Sequence, residues 1–144
     1  MEQSPVDLAA RALARRDRCE ADLLRILERK GVSADEAADA VSTLRDRGVV
    51  DDQRFAGTAA RSFANRGYGD RAIVFRLQRE GVERELALDA VAELELEADR
   101  AARCVARRGA SERTARWLFA RGFGRDSIEH GLASIADTGA AELG

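Results

Sequence analysis

Residues 70–94 read DRAIVFRLQREGVERELALDAVAEL, and they place a single glycine, Gly81, between two stretches of helical hydrophobic spacing. Apolar residues recur every three or four positions on both sides of that glycine, which gives each helix one buried stripe. These stripe residues are Ile73 and Leu77 before the glycine and Leu86, Ala90 and Leu94 after it. Gly followed by a hydrophobic residue is typical of a helix that ends in a left-handed turn, so the stretch predicts two packed helices.

The same pattern occurs three times along the chain. When Gly31, Gly81 and Gly122 are superposed, a leucine stands four residues before each and a hydrophobic residue directly after each. The register continues through hydrophobic positions six, ten and thirteen residues downstream. It predicts an all-α fold of three tandem three-helix repeats that form an elongated, curved array. The predicted repeats are residues 1–50, 51–94 and 95–136, and residues 137–144 form a C-terminal tail.

Helix starts and stops support about nine helices. Capping patterns begin at Ser4, Asp17, Ser33 and Asp51. Glycine stops with a following hydrophobic residue occur at Gly31, Gly48, Gly67, Gly81 and Gly122. No breaker marks residues 93–97, so two helices could run together there.

Composition narrows the class of protein. The 144 residues carry a formal net charge of −2, with 35% charged residues. Two distant cysteines, Cys19 and Cys104, and one histidine are too few for a structural metal site, so we expect free buried thiols and neither metal nor cofactor. No apolar run is long enough to span a membrane and the first residues lack a secretion signal, so a cytoplasmic, soluble chain is expected.

The sequence offers little support for catalysis. No nucleophile and base stand together, and the single histidine cannot supply both a base and a metal ligand set. Asp51 and Asp52 form the one acidic pair that could serve a hydrolase. An acid between a glycine stop and an apolar helix is more often an N-cap, so we expect no enzyme activity.

The most specific stretch runs from Gly48 to Val82. It reads GVVDDQRF at residues 48–55, RGYGDRAI at residues 66–73 and LQREGV at residues 77–82. This resembles the RecX family, whose members show a similar order of G-hydrophobic-hydrophobic-D-D-x-R-F, R/K-G-x-G-x-x-x-I and x-x-G-hydrophobic. Residues 12–23 resemble the opening segment of the family and residues 118–123 its closing segment, so the resemblance covers roughly residues 9–136.

The resemblance implies an array of three-helix repeats and regulation without catalysis. RecX proteins bind RecA, lie along the groove of its filament on single-stranded DNA, and restrain strand exchange and ATP hydrolysis in homologous recombination, DNA repair and the SOS response. Some members also bind single- or double-stranded DNA. The implied partners are therefore RecA and the RecA–DNA filament, bound by a monomer. The alternative is a helical-repeat DNA-binding protein that acts without RecA, although a pI near 5.6 argues against strong nonspecific DNA binding.

Arginines and aromatic residues of the second and third repeats are the candidate contacts. They are Arg54, Arg61, Arg66, Tyr68, Arg71, Arg76, Arg79, Arg116, Trp117 and Arg121. Tyr68 could instead clasp the preceding helical turn. Either Trp117 or Phe119 is expected to be exposed, unless both pack between repeats. The arginine stripes at residues 11–18 and 100–107 are expected to be solvated faces paired with acids, and the second is the next candidate contact.

Overall fold

The structure is a computed structural model that describes the backbone of residues 3–143 and the side chains of residues 3–135. Within those ranges the chain is all-helical, as predicted, with nine α-helices and no strand. The helices are α1 (Pro5–Arg15), α2 (Glu20–Arg29), α3 (Ala34–Asp46), α4 (Asp52–Asn65), α5 (Asp70–Glu80), α6 (Arg84–Ala92), α7 (Glu97–Arg108), α8 (Glu112–Ala120) and α9 (Arg125–Leu143). The backbone of α9 continues through residues 137–143, in the segment expected to be a tail.

Three predicted helix starts are present. The side chains of Ser4, Ser33 and Asp51 each accept a hydrogen bond from the backbone N–H three residues later. The prediction at Asp17 is wrong, because α2 begins after Cys19 without a side-chain cap from its own unit. The helix α6 ends at Ala92 and α7 begins at Glu97, so the two helices there do not run together.

The five predicted glycine stops are confirmed. Gly31, Gly48, Gly67, Gly81 and Gly122 all have positive φ angles. After each of them the next N–H bonds to the carbonyl five residues earlier, at 2.9–3.1 Å, which closes the Schellman turn. Gly109, which is followed by the small residue Ala110, also adopts a positive φ and ends α7.

Three hydrophobic clusters divide the helices into three consecutive units of three. The first unit packs around Leu23, Leu27, Ala37, Val41 and Leu44, the second around Phe55, Ile73, Leu77 and Ala87, and the third around Ala101, Val105, Leu118, Phe123 and Ile128. Each of the aligned leucines Leu27, Leu77 and Leu118 is fully buried. The hydrophobic register that repeats in the sequence therefore builds the same core three times.

Close contacts of glycine join the units. A Cβ on Gly81 would lie 2.7 Å from Cβ of Ala21 in the first unit, and a Cβ on Gly122 would lie 2.7 Å from the backbone nitrogen of Ala72 in the second. The accessible surface is 9190 Å² for a mass of 15.7 kDa, whereas a compact monomer of that mass exposes about 7300 Å². The excess surface is what an elongated array of units with small junctions presents.

Both cysteines are free thiols. Cys19 is buried at the junction of the first two units and donates a hydrogen bond to the carbonyl of Glu80 at 3.0 Å, while Cys104 is half-buried in α7. Burial raises the pKa of both thiols. None of the described helices is long and apolar enough to cross a membrane.

Candidate partner-binding surface

Tyr68 lies at the centre of the candidate surface because of the turn that ends α4. Gly67 has a φ of +86°, and the N–H of Tyr68 returns to the carbonyl of Phe63 at 3.1 Å. The two rings meet edge to face, with centroids 6.0 Å apart and planes at 83°. The clasp that the sequence suggested for Tyr68 is therefore present.

Arginines from two units surround the Tyr68 ring. The Cζ atoms of Arg76 on α5 and Arg121 at the end of α8 lie 4.1 and 3.9 Å from its centroid. Arg66 lies 5.3 Å from the Phe63 centroid and 5.7 Å from that of Tyr68. These distances are within cation–π range, so Tyr68 holds three guanidinium groups in fixed positions. Tyr68 therefore packs as a clasp and also orients positive charge.

Trp117 extends this arrangement into the third unit. The Cζ atoms of Arg108 and Arg121 lie 4.0 and 5.3 Å from its ring system, and its Cη2 atom faces Gly67, where a Cβ would lie 3.3 Å away. Trp117 is half-buried, so it fills the junction between the second and third units. Its neighbour Phe119 is the exposed aromatic of the pair, with 58% of its surface accessible.

Two exposed phenylalanines, Phe75 on α5 and Phe119 on α8, each lie close to an arginine of α5. The Cζ of Arg71 is 5.2 Å from the ring centroid of Phe119, and that of Arg79 is 5.9 Å from the ring centroid of Phe75. Phe75 is 60% exposed, so both rings combine an apolar face with a nearby positive charge. We call the whole set the arginine–aromatic surface, and it consists of Arg66, Tyr68, Arg71, Phe75, Arg76, Arg79, Trp117, Phe119 and Arg121.

A buried arginine fixes the two units that carry this surface. Arg100 on α7 is 7% exposed, and its guanidinium donates to the carbonyls of Glu95 and Tyr68, both at 3.0 Å, and forms an ion pair with Asp70. Burial raises the pKa of the Asp70 carboxyl, against the opposing effect of Arg100. Arg100 was expected on a solvated stripe; it is buried instead because it ties Tyr68 and Asp70 to the third unit.

Backbone contacts reinforce the same junction. The N–H of Gly69 donates to the carbonyl of Arg121 at 2.9 Å. The side chain of Arg121 donates in turn to the carbonyls of Arg66 and Gly67. Arg121 therefore holds the turn that carries Tyr68 and also contacts the Tyr68 ring.

Three of the predicted contact residues lie outside this surface. Arg54 donates to the carbonyls of Gly48 and Val49 at 3.3 and 3.2 Å, so it stabilises the turn that ends α3. Arg61 donates to the Thr58 hydroxyl and faces a separate cleft. Arg116 is exposed and borders a shallow apolar groove between α8 and α9.

The acidic pair works in helix capping. Asp51 accepts the N–H of Arg54 at 3.1 Å, and Asp52 accepts the N–H of Glu20 at 2.8 Å, at the start of α2 in the preceding unit. Burial raises the pKa of Asp52, and the nearby carboxylates of Glu20 and Asp51 add to that effect. No group of three or more potential metal ligands occurs among the residues described.

Comparisons with known proteins support the fold of three-helix units. Residues 51–91 match the family model described as RecX, second three-helix domain. Over these residues the chain resembles the second three-helix domain of RecX proteins. Its fold is that of RecX from Lactobacillus salivarius, a crystal structure that is 17% identical, with a TM-score of 0.81 over 92% of this chain and 94% of that one. A second crystal structure, described as regulatory protein RecX, is 20% identical, with a TM-score of 0.71 over 87% of this chain and 71% of that one. No curated protein sequence matches the chain.

The RecX match covers only part of the arginine–aromatic surface. Arg66, Tyr68 and the α5 residues lie inside residues 51–91, whereas Trp117, Phe119 and Arg121 come from the third unit. Phe75 and Arg108 were not among the predicted contacts, and Arg100 was named only as part of the 100–107 stripe, the next candidate. An arginine–aromatic pair at i and i+4, Phe75 with Arg79, is a local signal that identifies one of them. Arg100 and Arg108 instead contact residues that are not neighbours in sequence, Tyr68 and Trp117 respectively.

Proposed function

We propose that this chain is a RecX-type, non-catalytic regulator that binds RecA and its filament on single-stranded DNA and restrains strand exchange and ATP hydrolysis. The observation that carries the proposal is the arginine–aromatic surface, which spans two units of an elongated repeat fold. The similarity of residues 51–91 and of the fold to RecX proteins supports the choice of partner. The geometry supports a contact surface because guanidinium groups and exposed aromatic rings are the side chains most enriched at binding hot spots.

The charge distribution favours local contacts over attraction by the whole molecule. The formal net charge is −2, so the long-range field of the chain does not draw it toward a DNA-laden filament. Arg71 and Arg79 present exposed guanidinium groups that can pair with carboxylates or phosphates in a fixed fork. Phe75 and Phe119 supply apolar area beside them.

Rigidity of the junction adds to the argument. Arg100, Gly69 and Arg121 hold the second and third units through buried or backbone hydrogen bonds, so the two halves of the surface keep their relative positions before binding. A surface that is ordered in advance loses less conformational entropy on association. An elongated body can also contact successive subunits of a filament.

The test is a paired charge reversal at exposed positions. Arg71→Glu combined with Arg79→Glu removes two guanidinium groups from the surface and leaves the Tyr68 cluster intact. Arg76 is not chosen because its guanidinium lies 4.1 Å from the Tyr68 centroid, so its reversal also disturbs the fold of the cluster. Arg15→Glu combined with Arg47→Glu is the matched control, since both residues are exposed in the first unit and the change in net charge is the same.

The expected result is that the parent and the control are captured by RecA filaments and inhibit strand exchange, and that the surface variant loses both properties while its far-UV circular dichroism stays unchanged. Equal inhibition by the surface variant and the parent would overturn the assignment of this surface. Binding to bare DNA with a steep salt dependence and without RecA would favour the alternative, a DNA-binding repeat protein.

A further inference from the structure

A cleft of about 290 Å³ lies between α4 of the second unit and α7 of the third. Four arginines line it, together with one acid, Glu95, and the half-buried thiol of Cys104. The arginines are Arg61, Arg100, Arg103 and Arg107. None of these side chains belongs to the arginine–aromatic surface. The lining carries four positive charges against one negative charge in a chain whose overall charge is negative.

The four arginines differ in their ion-pair partners. Arg100 is held by Asp70 and by two carbonyls, and Arg103 is paired with Glu95. Arg61 and Arg107 make no ion pair with any carboxylate among the described residues, and the one side-chain hydrogen bond of Arg61 goes to the Thr58 hydroxyl at 3.3 Å. Two arginines from two different units thus line one cavity without an ion pair to any described carboxylate.

We propose that this cleft is a binding site for a phosphate-bearing anion, with Arg61 and Arg107 as its principal ligands. A guanidinium presents paired N–H donors that match two oxygens of one phosphoryl group, and a phosphate has enough oxygens to accept two such forks at once. Arg100 and Arg103 add positive potential from positions that their own partners already fix. The source of the phosphate is either a small free anion such as pyrophosphate or the backbone of a nucleic acid.

Occupation of the cleft would have a mechanical consequence. Arg61 lies on α4 and Arg107 on α7, so one bound anion would join the second unit to the third beside the junction that Arg100 holds. A ligand that binds only the folded array raises its free energy of unfolding by RT ln(1 + L/Kd), where L is the free ligand concentration. Binding should therefore be visible in thermal unfolding as well as in direct titration.

Cys104 supplies a reporter inside the cleft. It is half-buried in the wall, whereas Cys19 is fully buried, so Cys104 is the accessible thiol of the chain. Burial raises the pKa of the Cys104 thiol, and Arg107, Arg100, Arg108 and Arg103 all oppose that shift because their positive charges favour the thiolate. An anionic disulfide reagent such as dithionitrobenzoate should reach Cys104, and an anion bound in the cleft should block it.

The experiment measures the rate of Cys104 labelling by dithionitrobenzoate with and without pyrophosphate, at ionic strength matched with sodium chloride, and repeats it with a short single-stranded oligonucleotide. Pyrophosphate at ten times its dissociation constant should slow labelling about tenfold in the parent protein and raise its melting temperature. Arg61→Gln with Arg107→Gln should lose this protection. Arg15→Gln with Arg47→Gln removes the same charge elsewhere and should keep it, and Cys104→Ser should abolish labelling.

Each outcome decides between clear alternatives. Protection by pyrophosphate that depends on Arg61 and Arg107 supports a site for a free anion, and protection by the oligonucleotide alone supports a site for backbone phosphate. Protection that survives in the Arg61→Gln/Arg107→Gln variant, or no protection by either probe, would overturn the assignment. Far-UV circular dichroism of each variant shows whether the helices are retained.

Discussion

Replacement of Gly69 by alanine tests how tightly the second and third units are joined. Gly69 has φ −81° and ψ 168°, an extended conformation that alanine adopts without strain. The only obstacle to a side chain is therefore the neighbouring unit. A Cβ on Gly69 would lie 2.6 Å from the carbonyl oxygen of Gly122 and closer still to the backbone nitrogen of Phe123.

The loss of stability in Gly69→Ala depends on how far the backbones of the second and third units must separate. Non-bonded heavy atoms normally lie about 3.5 Å or more apart, so the two backbones must separate by about 1 Å. That separation strains the Gly69 N–H bond to Arg121 at 2.9 Å and the Asp70 N–H bond to Glu97 at 2.6 Å. Overpacking costs about 1–3 kcal/mol and each of the two weakened hydrogen bonds about 0.5–1 kcal/mol, so Gly69→Ala should lower the free energy of unfolding by about 2–5 kcal/mol.

Urea unfolding followed by far-UV circular dichroism measures this change, and two glycines serve as controls. Gly31 has a φ of +86° with open space around it, so Gly31→Ala should cost only about 1–2 kcal/mol from backbone strain. Gly57 lies inside α4, so alanine there should stabilise the helix by up to about 1 kcal/mol. Since the units of an array couple through their junctions, Gly69→Ala should also broaden the transition. A cost no larger than that of Gly31→Ala would refute the close junction.

Three further predictions concern single positions. Leu77→Ala should cost about 2–5 kcal/mol because Leu77 is fully buried, whereas the exposed Arg79→Ala should cost about 0.5 kcal/mol or less; equal losses in urea unfolding would mean that the buried face of α5 is misassigned. Gly67→Val should lower the melting temperature because of the positive φ and the contact with Trp117, and an unchanged melting curve would contradict the turn. Because the pKa of Asp52 is raised in the folded state, the contribution of this carboxyl to the free energy of unfolding is largest below its pKa in the unfolded chain, about 4. That contribution is lost as the pH rises through its pKa in the folded protein. The free energy of unfolding of the parent relative to Asp52→Asn, which does not titrate, should therefore fall as the pH rises above about 4, and a rise would contradict the sign of the shift.

The elements within each unit could be predicted from the sequence because their causes are local. A glycine after the last turn, a hydrophobic residue behind it and a leucine four residues before it are all encoded within a few positions, as at Leu77, Gly81 and Val82. The same is true of the caps at Ser4 and Ser33. Periodicity then assigns the buried face, which is why the three aligned leucines are buried.

The junctions between units could not be predicted in this way. Arg100 stands on a regular i, i+3, i+7 stripe with Arg103 and Arg107, and that pattern describes a solvated face equally well. Its burial depends on Asp70 and the Tyr68 carbonyl, which lie thirty residues or more away in sequence. Arg121 approaches Tyr68 for the same reason. The sequence therefore named the α5 arginines of this surface, whereas the contacts made by Arg100 were not predicted.

The missing cap of α2 shows what sequence feature would have revealed the junctions. The middle helices of the first two units start after Cys19 and Gly69, and neither residue supplies a side-chain cap. The acidic first residue of the next unit's first helix accepts the N–H instead: Asp52 accepts from Glu20, and Glu97 accepts from Asp70. In the third unit Ser111 caps its own helix by accepting the N–H of Thr114. Because free N–H groups at a buried helix start must find an acceptor, a middle helix without its own capping residue points to an acid at the start of the following unit. The pairing of absent cap and following acid therefore encodes, in the sequence, which faces of successive units meet.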